Sequence, residues 1–378
     1  NFYYDENLTK EFFDSYYGGR VEAYKLGKTY SYKYDINSMY PYSMLTCNFP
    51  SPKKLKKVLN PTRKYFDFLL KWNEGFANIE VEHKATTYGF LPLKHNGKLM
   101  FPSGRFSGSW NFPEIIFALK HKVIKILKIN YVVFGNKIES PFKNFVKEVY
   151  QKRQESKGIY NMIYKLILNS LYGKFAQRVK KTEIYLEEID YDLIFQLQEQ
   201  GIEYEVKIFN KTRKDCYISY ENKDFKMMYH SIPLFSSYIT SYARIYLLKQ
   251  LLKYNKYGIT YTDTDCIAVE KEIPSIINSN ILGNFKKEES VILEIFGCKN
   301  YIEENKGIIY EKIKGVSKKS IKLAPNKYEV IKLIKTKEAI RRNLITGKSQ
   351  TLIKELTFKY DKRIVKSNGK TSIIKVDL

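Results

Sequence analysis

Tyr261-Thr262-Asp263-Thr264-Asp265-Cys266 sets two carboxylates one residue apart between two runs of strand-forming residues, Gly258-Ile259-Thr260 before and Ile267-Ala268-Val269 after. A strand, a tight acidic turn and a second strand read as a β-hairpin. Residues at i and i+2 of a pleated strand point to the same side, so the spacing predicts that Asp263 and Asp265 converge. Two carboxylates held that close repel each other, and a divalent cation is the usual remedy. An oxygen-only ligand set favours Mg²⁺ or Mn²⁺ over zinc. The same Asp-x-Asp pattern also suits a solvated hairpin tip, so the rest of the chain has to decide between them.

The chain has 378 residues, 44% hydrophobic and 28% charged, a globular balance with length for two to four subdomains. Lys and Arg outnumber Asp and Glu 65 to 40, a formal net charge of +25. That excess resists compaction and predicts a polyanionic partner. Thirty-three Tyr and 23 Phe accompany it, and cations with rings are what nucleic-acid surfaces use. An A+T coding bias also enriches Lys, Tyr and Phe, and accounts for part of this composition. Cys47, Cys216, Cys266 and Cys298 form no C-x-x-C pair, which predicts a reducing, intracellular compartment and no structural zinc. Asp5, Glu6 and Glu11 interrupt any N-terminal apolar run, and no stretch approaches the ~18 apolar residues of a membrane span. No membrane association is expected. Asn1 is not a start methionine, which fits a fragment or a processed form.

Along the chain, Tyr16-Tyr17-Gly18-Gly19-Arg20 combines two glycines, which allow close backbone approach, with a cation that could meet a phosphate backbone. A plain turn is the simpler reading of that motif alone. Tyr30 to Ile36 alternates as a strand reaching Asp35, and a turn and a short helix follow it. Residues 51–135 look like a separate insertion, with a basic stretch from Lys53 to Lys64, a strand at Ile79–Glu82, a helix at Pro113–Leu119 and a strand at Ile124–Phe134. Two helices follow, from Pro141 to about Ser156 and from Ile159 to Phe175, broken at Lys157-Gly158. On the second, Asn161, Lys165, Asn169 and Tyr172 share one face at about 3.6 residues per turn. Residues 178–228 look like a second insertion, with a helix at Tyr191–Gln200. Pro233–Tyr254 reads as a long amphipathic helix leading into the acidic hairpin. Residues 299–378 are Lys-rich, with short strands and a helix near Tyr328–Asn343.

Three stretches occur in this order: Asp35 in Tyr-Asp-Ile-Asn-Ser-Met-Tyr-Pro, Lys165 to Gly173 in Lys-x-x-x-Asn-Ser-Leu-Tyr-Gly, and Tyr261 to Asp265 in Tyr-x-Asp-Thr-Asp. Together they resemble the three polymerase motifs of family B DNA polymerases. The long intervals between them, Tyr16 to Gly19, and Lys299-Asn300-Tyr301 are similar to the protein-primed branch of phages, linear plasmids and adenoviruses. The resemblance implies an α+β right-hand polymerase fold with an antiparallel palm sheet, two-helix fingers, a small thumb and two insertions. The expected divisions are a template-contacting segment 1–29, palm 30–52, first insertion 53–135 (template and priming-protein region), fingers 136–177, second insertion 178–228 (processivity region), palm 229–298 and thumb 299–378.

The activity implied is DNA-directed addition of dNTPs to a primer 3′-hydroxyl or a protein primer, with two Mg²⁺ ions (or Mn²⁺). Asp35 and Asp265 would bridge the metals, Asp263 would support them, and the backbone carbonyl of Ile36 could complete a shell. Lys165 and Arg153 would bind the triphosphate with Asn169 in support. Tyr172 and Tyr40 would floor the sugar and base pocket, and Tyr40 would bar a ribose 2′-hydroxyl. Tyr16, Gly18, Gly19 and Arg20 would contact the template, and Lys299 and Tyr301 the primer. The partners are template-primer DNA, dNTPs and a terminal protein.

Cys266 stands where the family usually has Ser. The residues before Asp35 are too few for a 3′–5′ exonuclease domain, so no proofreading is expected from this stretch, the domain being absent or upstream of Asn1. The composition suits a linear plasmid, mitochondrial or otherwise, or a phage in its host cytoplasm. A glycosyltransferase with an Asp-x-Asp site explains Asp263 and Asp265 but neither the Lys165–Gly173 stretch nor the charge. A reverse transcriptase usually pairs adjacent aspartates. A non-catalytic DNA-binding relic would be expected to have lost its acidic residues first.

Overall fold

The computed structural model describes residues 8–208, 216–228, 231–276, 279, 281–317, 320–324, 326–334, 349–356 and 360–378. By contacts the chain divides into two compact units. The first comprises Asn1–Gly173, Ile232–Ser317 and Leu356–Leu378; the second comprises Lys174–Ser231 and Lys318–Glu355.

The first unit is built on two sheets. One has seven antiparallel strands in the spatial order Val21–Ala23, Ile259–Asp263, Cys266–Val269, Gly27–Ile36, Phe285–Gly297, Asn300–Asn305 and Ile308–Lys312. The other runs Lys375–Asp377, Ser103–Asn111, Asn73–His83, Ile124–Ile138 and Phe49–Pro50, with Lys56–Leu59 also paired to Ile124–Ile138. Alternating burial along Tyr34 and Ile36 puts those side chains into the core, as a strand with one buried face requires. Trp110, fully buried, donates its indole N–H to the Pro92 carbonyl at 2.7 Å.

The helix Pro233–Tyr254 starts with proline in its first turn and is followed by a 3₁₀ turn and Gly258, whose φ of 75° needs glycine's freedom. It is buried on nearly every side rather than amphipathic as expected. Several of its buried polar positions are small hydroxyls: Ser237 donates to the Ser15 carbonyl at 2.7 Å and Thr240 to the Ser237 carbonyl at 3.1 Å. Small side chains let neighbouring segments approach, and most of these hydroxyls are satisfied, Ser241 being the exception.

Residues 53–135 differ from the expected separate insertion. Phe66, Ala77, Ile79, Phe106 and Val132 share one hydrophobic cluster with Tyr34, Ile267 and Leu247. The expected single thumb is also divided. Residues 300–312 extend the seven-stranded sheet, whereas 318–355 belong to the second unit. Residues 360–377 strap the edge strand Val21–Ala23. Tyr360 Oη bonds both backbone groups of Ala23, Lys362 donates to the Val21 carbonyl, Thr371 N–H donates to the Tyr24 carbonyl, and Lys375–Asp377 pairs in parallel with Ser103–Arg105.

The second unit holds the antiparallel sheet Arg178–Leu186, Cys216–Met227 and Tyr204–Ile208, with the helix Tyr191–Glu199 capped by Asp190, which accepts from Leu193 N–H at 2.9 Å. It also holds the meander Ile321–Ala324, Lys327–Leu333 and Ser349–Glu355. The helix expected near Tyr328–Asn343 is therefore a strand over its first part, where Tyr328, Val330 and Ile331 favour extended backbone. Positions 335–343 lie outside the described residues. Among the described residues, no helix is long and apolar enough to cross a membrane.

Candidate active site

The acidic hairpin pairs Asp263 with Cys266, so Thr264 and Asp265 form the two-residue turn itself. Asp263 and Asp265 are thus not successive same-face residues of one strand, as the i, i+2 spacing suggested. Thr264 adopts φ 59°, and the turn is held from both sides. Thr264 N–H donates to the Arg20 carbonyl and Ile36 N–H to the Asp265 carbonyl, each at 2.7 Å. The second bond, with the register that pairs Cys266 with Asp35, puts Asp265 beside Asp35.

Burial, then Asp265 and Glu288, push the Asp35 carboxyl up to about 7, while Lys165 and Lys33 draw it back. Burial pushes Asp265 up to about 6; its own backbone N–H opposes this, Asp263 adds to it, and Lys299 and Lys165 oppose it. Carboxyls raised by burial and by neighbouring carboxylates make a site with surplus negative charge, and this donor set fits a hard divalent cation. Asp263 is turned elsewhere. Its Oδ1 lies 3.3 Å from Lys299 Nζ and accepts from Thr264 Oγ1 at 3.2 Å, and its Oδ2 accepts from Tyr261 Oη at 3.4 Å. Among the described residues, no three His, Cys, Asp or Glu side chains are arranged to hold a metal. Asp263 is thus held by Lys299 beside the pair, while its charge still raises Asp265. Burial pushes the Cys266 thiol well up, and its Sγ donates to the Ile267 carbonyl at 3.7 Å.

Tyr40 and Tyr172 meet with ring centroids 4.2 Å apart and planes tilted 36°. Burial, then Tyr172, push the Tyr40 hydroxyl up. A Cβ on Gly19 would lie 2.8 Å from Thr264 Cγ2 and 3.1 Å from Tyr40 Oη, so any side chain there would force the turn residue or this ring to shift. The helices are Lys143–Glu155 and Gly158–Lys174. Arg153 Nη1 donates to Ser38 Oγ at 2.9 Å. Lys165 is exposed, yet its charge reaches both Asp35 and Asp265. Asn161 instead closes the break between the helices, donating to the Arg153 carbonyl at 2.8 Å. Asn169 is exposed.

Arg20 corrects its expected role. It is 1% exposed, pairs with Glu22 at 2.6 Å and lies 3.6 Å over the Phe101 ring, so no phosphate can reach it. Arg363 pairs with the other Glu22 oxygen at 3.1 Å, and Tyr24 Oη donates to Glu22 at 3.0 Å. Tyr16 is partly buried, its hydroxyl pushed up to about 12 by burial and then by Tyr172, and Gly18 is exposed with open space before it. Tyr301 packs on Tyr261 with centroids 5.4 Å apart.

Sequence reasoning missed Lys33, whose signal was its place two residues before Asp35 on the same strand face. It pairs with Glu303 at 2.9 Å. It also missed Arg244, buried against Glu114 at 2.9 Å and donating to the carbonyls of Tyr17 and Gly18. No local pattern marks that cation, because its partners come from distant segments.

A family model described as DNA polymerase type B, organellar and viral, matches residues 3–260. A probable DNA polymerase of Podospora anserina is 29% identical over 95% of this chain and 30% of its own length. One of Neurospora intermedia is 30% identical over 81% of this chain and 32% of its own length. The chain thus spans about a third of these relatives. In fold it is similar to phi29 DNA polymerase complexed with primer-template DNA and incoming nucleotides, with a TM-score of 0.65 at 17% identity, covering 94% of this chain and 63% of that one.

Proposed function

The chain belongs to the type B DNA polymerases of organelles and viruses, and from that membership we propose that it catalyses template-directed addition of dNTPs to a primer 3′-hydroxyl or to a hydroxyl of a priming protein. One observation carries the reading: Asp265, in the hairpin turn, is bonded to Ile36 and stands beside Asp35 on the neighbouring strand, with the charge of Lys165 reaching both. Asp35 and Asp265 would hold the divalent cations, Mg²⁺ or Mn²⁺, with the Ile36 carbonyl, and Asp263 would stand beside them. Such cations, when bound, activate the attacking oxygen and neutralise the leaving pyrophosphate.

Lys165 and Arg153 bind the triphosphate and hold its α-phosphate in line, with Asn169 supporting them; positioning and charge neutralisation supply most of the acceleration. Tyr172 and Tyr40 floor the sugar pocket, and Tyr40 excludes a 2′-hydroxyl. Tyr16, Gly18 and Gly19 face the template, while Arg20 only fixes their backbone. Lys299 and Tyr301 contact the primer. In this reading the seven-stranded sheet is the palm and the helices at 143–174 are the fingers.

Labelled dNTP incorporation on a primed template with Mg²⁺ tests the proposal. Extension is expected, Asp35→Ala and Asp265→Ala should abolish it while leaving DNA binding intact, and no extension by the wild type overturns it. The Lys299–Asp263 pair favours a second reading, a DNA-binding chain without catalysis. DNA binding without extension in the same assay would select it.

A further inference from the structure

Residues 53–72 carry six lysines and one arginine against a single acid, Asp67, which is already paired with Arg63 at 2.9 Å. They form the strand Lys56–Leu59 and the helix Arg63–Trp72, whose first turn is capped by Thr62. Phe66 and Leu69 enter the core, Phe66 edge-on to Phe112. Tyr65, Phe68 and Trp72, spaced by three and four, share another face. There they are 40%, 54% and 59% exposed. The Tyr65 and Phe68 rings are nearly parallel, 12° apart, and Lys71 Nζ lies 4.9 Å over the Trp72 ring.

Codon bias toward A+T enriches Tyr and Phe but works against Trp. The chain has two Trp; one is sealed in the core and the other is on this face, so composition does not explain it. Three exposed rings clustered on one helix face mark a candidate interaction site. A protein partner would favour a ring cluster depleted of Lys. Here Lys64 adjoins Tyr65 and Lys71 lies over Trp72, and the surplus charge calls for a polyanion that also offers flat apolar faces. Unstacked bases on a phosphodiester chain supply both, whereas a duplex hides its base faces.

We propose that the exposed aromatic face of the helix 63–72 is a stacking platform for single-stranded DNA, with Tyr65, Phe68 and Trp72 under the bases and Lys64 and Lys71 on the phosphates. This deepens the polymerase reading without depending on catalysis.

The test is tryptophan emission titrated with oligo(dT) in EDTA at low salt. Oligo(dT) should quench the emission, and Trp72→Phe, which leaves only buried Trp110, should lose the quench. Tyr65→Ala and Phe68→Ala should each weaken binding about tenfold, with unchanged melting because neither ring is in the core. Heparin, a polyanion without bases, should bind without quenching. Oligo(dT) binding that leaves Trp72 emission unchanged, or ring variants that bind like the wild type, overturns the platform. So does a concentration-dependent dimer that Phe68→Ala abolishes without affecting oligo(dT), which would assign the face to a second copy. A chain that quenches but does not extend primers fails the polymerase reading alone, and one that extends without quenching fails this inference alone.

Discussion

Replacing Asp35 by Asn should stabilise the metal-free protein, and more so at higher pH. In the fold its carboxyl is pushed from 3.8 up to about 7, by burial first and then by Asp265 and Glu288. A carboxyl whose folded pKa is raised contributes stability that is complete below its unfolded pKa and lost as pH rises through the folded one. Asn cannot ionise and suffers no such loss. At ~1.4 kcal/mol per pKa unit, about three units set a ceiling of ~4 kcal/mol at pH 8, of which less than half has developed by pH 5. Water reaches the half-buried carboxyl, and Asp265 shares the proton, so ~2 kcal/mol is the expected gain at pH 8. That corresponds to a melting transition raised by about 4 °C. Melts followed by circular dichroism in EDTA at pH 5 and pH 8 measure it. Adding Mg²⁺ at pH 8 should narrow the gap, since the wild type gains a ligand that the variant holds poorly. An equal shift at both pH values, or a variant less stable than the wild type at pH 8, would refute the argument.

Glu22→Ala leaves two buried arginines without their carboxylate and should cost about 3–5 kcal/mol in urea denaturation, whereas exposed Lys366→Ala should be neutral. Gly19→Ala drives a methyl into Thr264 and Tyr40, so primer extension should fall at least tenfold. Thr264→Ser, which removes the nearest methyl, should restore part of that loss in the double variant. Tyr40→Val should raise ribonucleotide incorporation, read as alkali-sensitive product, and unchanged discrimination would remove its role as a barrier.

Elements governed by neighbours in sequence were legible. Pro233 and Gly258 bracket the long helix, and its bounds are Pro233–Tyr254 as read. The break at Gly158, φ 59°, separates the two helices where expected. The strand ending near Asp35 and the acidic hairpin follow from alternation and turn chemistry. What failed depended on distant partners. Arg20 next to two glycines looks like a phosphate ligand until Glu22, Phe101 and Arg363 enclose it. The i, i+2 spacing of Asp263 and Asp265 suggests one strand face until the turn and Lys299 separate their surroundings. The basic tail looks like one subdomain because its composition is uniform, yet it is shared between two units.

The strap of residues 360–377 also sets an order of events at the ribosome. Glu22 and its partner Arg363 lie 341 residues apart in sequence, and at roughly 5–20 residues per second about 20–70 s separate their synthesis. Through that interval the edge strand Val21–Ala23 lacks the groups that tie it down, and it is this strand that abuts Asp263. The nascent chain therefore leaves the sheet edge beside Asp263 unstrapped through that interval. That edge is secured only after Lys375–Asp377 is made and pairs beside Ser103–Arg105.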